Sequence, residues 1–395
     1  MPATHSEINK PTSTRYGFLD FYRGIIVLFM LEGHVYRELL DPHIKSSQIY
    51  MLHEILHGIT APGFLFGAGF AFTIAAQRKW NQVTTFSPGF FRRLWRAITL
   101  ILIGYILHLP YMSLRESIEL GTPAQWEQFF RFDVLQCIGT GLIILRLLLV
   151  MVRNERVFVS ATVFLLILIV YSTPFAWSTE LNSKLPSFIS PILNGNTGSL
   201  FPLFPFVGFL FAGTCVSWLF LRATEKGKNK SFIIKLAIAG VMLICLGFIL
   251  EAMPFKIIEG ISFWKTSPNY FWIRLGILFI ILGGLWSLEY IANIKNKRTL
   301  LMPRWLIILG IESLFVYIAH LIILYGWTIN PTLNFSYFFK DKLNVIESSI
   351  VLLILTLLMI PSATVWNYTK KHHPMLMKGI QWWIGLSLIW LILIQ

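Results

Sequence analysis

The stretch RYGFLDFYRGIIVLFMLEGH, residues 15–34, is apolar and long enough for a membrane helix, yet it carries Asp20, Arg23, Glu32 and His34. About 20 predominantly apolar residues span a bilayer core. Ionisable side chains at that depth are costly and mark function. At 100° per residue, Arg23 and His34 fall within about 20° of each other around the helix, and Asp20 lies on the same side. Glu32 points roughly opposite His34 and is given no catalytic role. One stripe therefore carries a cation near one membrane face and, roughly 16 Å further along the axis, an imidazole near the other.

The rest of the chain extends that reading. Its 395 residues are 55% hydrophobic and 13% charged, with a mean hydropathy of +0.66. A soluble domain of this length cannot hide so much apolar surface. Membrane-length apolar segments recur at about 18–38, 57–77, 93–112, 132–152, 157–177, 198–221, 232–252, 270–293, 304–328, 347–369 and 376–395. They predict an all-α, polytopic helical bundle of about 11 transmembrane helices. Residues 18–395 are expected to form a single transmembrane domain behind a short cytoplasmic tail, residues 1–17. That polar tail has no small-residue cleavage site after it and does not read as a signal peptide.

Of the 33 Lys and Arg residues, 23 fall on the side of the N-terminus and 10 on the other. The positive-inside rule therefore expects a cytoplasmic N-terminus. The formal charge of +14 has the same origin, because the basic residues sit in short loops facing anionic lipid and imply no nucleic-acid partner. Cys137, Cys215 and Cys245 lack metal or redox spacing and read as buried structural thiols. The outward loops near 113–131, 178–197 and 253–269 are the expected carriers of acceptor specificity.

With that topology, His34, His57, His108, Asp133, Glu251, Arg274 and His320 map to the outer half, and Asp20, Arg23 and Glu289 to the inner half. In the ninth segment Gly310, Ser313, Tyr317 and His320 fall at i, i+3, i+7 and i+10, one stripe of a straight helix. It is either interhelical hydrogen-bonding glue or part of a reaction centre. Glu312 lies off the stripe and is expected to pair with a neighbouring helix. Asp133 and Gln136 either bind a polar acceptor or cap the fourth helix. Arg274 either neutralises Asp133 or Glu251 or binds substrate. Asp20 and Arg23 are either a structural ion pair or a holder of phosphate. Arg92, Arg93 and Arg96 either anchor the cytoplasmic face or form a basic entrance.

His53, Glu54 and His57 spell H-E-x-x-H, the spacing of a helical zinc site. No third ligand or glycine-containing extension accompanies the motif, so no metal is expected. His57 reads instead as a residue of a transfer site, with His53 and His43 as alternatives.

Arg15, Asp20, Arg23 and His34 together resemble the first helix of the transmembrane acyltransferase superfamily, in particular the heparan-alpha-glucosaminide N-acetyltransferase-like membrane proteins. Four later segments extend the resemblance over most of the chain: APGFLFGAGFAFTIA at 61–75, FDVLQCIGTGLII at 132–144, SLFPLFPFVGFLFAGT at 199–214 and LGIESLFVYIAHLIIL at 309–324. The resemblance implies a multi-pass acyltransferase of the inner or plasma membrane. It would take an acyl group, acetyl foremost, from cytosolic acetyl-CoA to a hydroxyl or amine of an extracytoplasmic sugar or glycan. His34 becomes the base or the nucleophile of an acyl-histidine route, assisted by His320 and Tyr317. Asp20, Arg23 and Arg93 become the acyl-CoA site, and His57, Asp133, Gln136 and Arg274 the acceptor site. A homo-oligomer is compatible with this reading. The rival class is a transporter or permease of a small polar solute, whose polar groups also line a bundle interior. The chain shows no related halves, although Pro202 and Pro205 punctuate its sixth segment.

Overall fold

The computed structural model describes residues 16–186, 188–253, 262–327 and 330–393. Arg15, the rest of the polar tail before it, and residues 254–261 of the 253–269 loop lie outside the described residues. The chain is helical throughout, with a single isolated bridge, Leu40 to Leu343, among the described residues.

The elements that place the site are α1 (Gly17–Leu39), α2 (Gln48–His57), α3 (Thr60–Gln77), α4 (Pro88–Ile106), α5 (Val134–Val152), α6 (Glu155–Ala176), α7 (Leu203–Glu225), α8 (Asn229–Ala252), α9 (Pro268–Ile294), α10 (Arg304–Ile311), α11 (Ser313–Tyr325), α12 (Val345–His372) and α13 (Pro374–Leu393). Their starts are written in the sequence. Ser87 accepts from the Phe90 amide ahead of Pro88 in α4, and Asn344 with Glu347 forms a capping box on α12.

Eight helices among the described residues are long and apolar enough to cross a membrane, with Gln48–Gln77 taken as one, or nine if the bent pair α10 and α11 is one span. The sequence expectation of about 11 differs by two. Both are of spanning length, 23 residues in α1 and 19 in α4, but they are more heavily charged than the rest. They are the helices that bring Arg23, His34 and Arg93 to the site.

Helix α1 is the axis of the bundle. Phe18, Tyr22 and Ile26 belong to one buried cluster with Phe66, Phe70 and Phe220. Phe21, Val27, Leu31 and Val35 belong to another with Leu309, Val316 and Leu355. Its apolar side chains thus pack into two separate clusters of the core. Its crossing with α10 is closed by two glycines. A methyl group on Gly310 would overlap the Asp20 carbonyl, and one on Gly24 would overlap the Leu306 carbonyl. Small residues let membrane helices approach backbone to backbone in this way. At its other end α1 is strapped to 341–343, the Leu343 amide donating to Leu39 O at 2.9 Å and the Asp41 amide to Leu343 O at 2.9 Å.

The ninth segment is not the straight helix that the spacing predicts. Helices α10 and α11 meet at 85°, with Glu312 at the break in a non-helical conformation (φ −100°, ψ 27°). The Glu312 carboxylate accepts from Lys370 Nζ at 2.5 and 2.7 Å and from Asn367 Nδ2 at 2.6 Å, both on α12. Its expected partnership with a neighbouring helix is thus present. The single stripe is not: Gly310 ends on one limb against α1, while Ser313, Tyr317 and His320 start the other.

Candidate active site

A cavity of about 380 Å³ opens between α1, α3, α4, α5 and α11. Four arginines line it, Arg23, Arg93, Arg96 and Arg146, and no Asp or Glu is among its lining residues. Arg93 and Arg96 come from the first turns of α4 and Arg146 from the last two turns of α5, close enough to repel one another. Arg146 is buried, with its guanidinium 5.4 Å from the centre of the Phe72 ring and its Nε without a hydrogen-bond partner. Arg23 Nη2 donates to Ser313 Oγ at 2.7 Å. The cluster of Arg93, Arg96 and Arg146 makes a field that an anion relieves. The remaining wall is mostly apolar and includes Phe64, Ala68, Ala71 and Leu100, and Tyr317 also lines it.

Tyr317 leads to the imidazoles. Its ring centre is 5.8 Å from that of His320, which is 5.0 Å from that of His34, edge to face. His320 is fully buried, and its Nδ1 donates to the Val316 carbonyl at 2.8 Å. A carbonyl only accepts, so Nε2 carries the lone pair, and it has no partner. His34 Nδ1 lies 3.0 Å from Tyr325 Oη. His57 reaches the same neighbourhood from α2, its Nε2 donating to Phe29 O at 2.8 Å. Its ring rests on Gly33, where any side chain would overlap it, so this close approach requires glycine.

The remaining expected residues divide. Asp133 caps α5, with Oδ1 accepting from the Val134 amide at 2.7 Å. Its other oxygen is 3.8 Å from His108 Nε2, and the carboxylate also faces the Tyr317 hydroxyl. Gln136 is fully buried and reaches Arg131 O at 3.5 Å, leaving its Oε1 without a partner. Arg274 lies over Tyr270, its Cζ 3.9 Å from the ring centre, and beside Gly58. Glu251 accepts from Asn269 Nδ2 at 3.0 Å. Asp20 is buried and does not line the cavity that Arg23 and Arg93 line.

The H-E-x-x-H residues turn to separate partners. His53 bonds Glu32, Glu54 accepts from Arg37 at 2.7 Å, and His57 is held by Phe29 O. Among the described residues no three His, Cys, Asp or Glu side chains converge as a metal-binding group. Glu32 acts as the holder of His53.

The structure thus gathers His34, His320, Tyr317, His57 and Asp133 at one end of the site, and Arg23 and Arg93 along the cavity. Sequence reasoning missed Arg146 and Tyr325. Arg146 had a signal, a lone cation inside LIILRLLLV, but the positive-inside rule already accounted for it. Tyr325 had none.

No curated protein matches the chain. A family model described as "Heparan-alpha-glucosaminide N-acetyltransferase, catalytic" matches residues 15–249. The match takes in α1 to all but the last turn of α8, and with them His34 and all four cavity arginines. It covers more than half of the chain, and the protein belongs to the heparan-alpha-glucosaminide N-acetyltransferase catalytic family.

Proposed function

We propose that this multi-pass membrane acetyltransferase moves acetyl from cytosolic acetyl-CoA to a hydroxyl or amine of a sugar outside the cytoplasm, at an inner or plasma membrane. The observation that carries the reading is the cavity, where four arginines and an apolar wall lead to Tyr317, one turn from His320. Coenzyme A bears phosphates at one end and its thioester at the other. Arg23, Arg93, Arg96 and Arg146 hold the phosphates, and the wall around Ala68, Ala71 and Leu100 takes the pantetheine arm. The start of α11 at Ser313 adds the positive end of a helix to the same space.

His34 then takes the acceptor's proton as its oxygen or nitrogen attacks the thioester carbonyl. An acyl-histidine route uses the same side chains. His57 and Asp133, beside the histidines, and Gln136 and Arg274, further out, supply hydrogen bonds to the acceptor. A helix broken by 85° is also a feature of solute carriers, which keeps a permease as the second reading. Purified protein given acetyl-CoA and amino-sugar acceptors should release free thiol. Solute flux into liposomes without thiol release would favour the permease.

Two expectations attach to this reading. Arg146→Ala should raise the KM for acetyl-CoA about tenfold with kcat little changed, since a charge-assisted phosphate contact acts in the ground and transition states alike. An unchanged KM would move the donor site away from this cavity. The 222–230 loop should face the cytoplasm because the basic residues concentrate on that side. A cysteine at position 228 in place of Lys228 should then react with impermeant thiol reagent only from the cytoplasmic side, and labelling from outside would invert the topology.

A further inference from the structure

We propose that Tyr325 is a positioning residue that holds the His34 imidazole in the tautomer with its proton on Nδ1, leaving Nε2 free to take the acceptor's proton. The inference rests on the acyl-transfer reading and adds to it a residue on the far end of α11.

The two histidines are fixed differently. His320 is fixed by the fold, because its Nδ1 faces a backbone carbonyl. His34 Nδ1 faces the Tyr325 hydroxyl at 3.0 Å, with the rings edge to face at 5.8 Å and 84°. A hydroxyl can donate or accept, so it admits either tautomer. If Tyr325 donated, the His34 proton would sit on Nε2 and the ring would have no lone pair for a substrate. If it accepts, Nε2 is a base. A phenol that accepts from Nδ1 keeps its own proton for a second acceptor, so one hydroxyl can serve the ring without giving up its donor capacity.

The titratable and charged groups facing His34 are His320 and Tyr325 from α11, His57 from α2 and Arg37 from α1 itself. His57 Nε2 is occupied by Phe29 O and Arg37 by Glu54. Among the described residues, Tyr325 is the hydrogen-bond partner of Nδ1.

The chain after Tyr325 is built to hold it still. Helix α11 stops there, and Gly326 turns the chain with φ +81°, a conformation that favours glycine. Asn330 Nδ2 donates to Ile322 O at 2.9 Å while its Oδ1 accepts from the Trp327 amide at 2.9 Å. Asn334 Nδ2 in turn donates to Asn330 O at 3.1 Å. Two side-chain amides thus tie down the turn that carries the tyrosine.

In the transfer step the acceptor's O–H or N–H bond breaks and its proton goes to Nε2. The acceptor-to-carbonyl bond forms, the C–S bond breaks, and the sulfur leaves as a thiolate that later takes the proton back from Nε2. While Nε2 holds that proton the ring is an imidazolium, and Nδ1–H continues to donate to Tyr325.

The test is the 15N chemical shifts of protein labelled at histidine, with the His34 pair assigned by its loss in His34→Gln. In the unsubstituted protein Nε2 should show the unprotonated shift. In Tyr325→Phe, which keeps the ring and removes the hydroxyl, the two His34 nitrogens should move toward a common average. In parallel kcat should fall about tenfold, the upper end for one hydrogen bond, with the KM for acetyl-CoA unchanged. A proton on Nε2 in the unsubstituted protein, shifts unaltered in Tyr325→Phe, or altered shifts with an unchanged kcat would each overturn the proposal. The tautomer is read without substrate, so a lack of acetyl-CoA turnover would overturn the functional reading separately.

Discussion

Replacing His34 by alanine should lower turnover by at least about 10²-fold, the low end for a lost acid–base group, and leave acetyl-CoA binding nearly intact. The two effects separate because proton transfer or covalent attack is realised in the transition state, whereas the arginine cavity acts on the bound donor. Arg23→Ala should do the converse and weaken donor binding with less effect on the chemical step. Along α1 the two side chains are roughly 16 Å apart, so each substitution leaves the other end in place. Single-turnover rates and binding of a CoA analogue, measured on folded, monodisperse variants, read both quantities. Near-normal turnover in His34→Ala would remove it from the mechanism and move the role to His320. The lone pair on His320 Nε2 is already fixed by the Val316 carbonyl.

Much of this site was legible in the first helix alone. A charge at membrane depth has few explanations, and the 3.6-residue repeat puts Arg23 and His34 on one stripe, so a cationic end and an imidazole end could be read before any packing was known. The sequence counts α1 and α4 as spans by length, whereas their charge sets them apart from the eight or nine helices apolar enough to cross a membrane. The bend in the ninth segment was not legible. No proline or glycine stands at Glu312, and what holds the break is a carboxylate paired with Asn367 and Lys370, 55 and 58 residues later. Periodicity assumes a straight helix, which is why it puts Gly310 on one stripe with Ser313, Tyr317 and His320. The contact between His34 and Tyr325 spans 291 residues, and no local pattern encodes it.

Gly310 connects that fold to the chemistry, and Gly310→Ala should be among the most damaging single substitutions outside the site itself. The added methyl meets the Asp20 carbonyl and the Gly24 amide, backbone atoms that no rotamer change can move aside. Helices α1 and α10 must separate instead. Overpacking of this kind costs about 1–3 kcal/mol and occasionally more, which lowers the thermal midpoint by on the order of 5 °C in a protein of this size. The loss should also reach the donor site. Arg23 lies on α1 one turn from Asp20 and hydrogen-bonds Ser313 just beyond the α10 limb, so shifting the crossing pulls that pair apart and raises the KM for acetyl-CoA. Gly284→Ala on α9 is the control, because a methyl there meets nothing within 4 Å and alanine is the better helix former. Its midpoint should stay level or rise slightly. If Gly310→Ala behaved like Gly284→Ala in both midpoint and KM, the α1–α10 crossing would not be what sets Arg23 against Ser313.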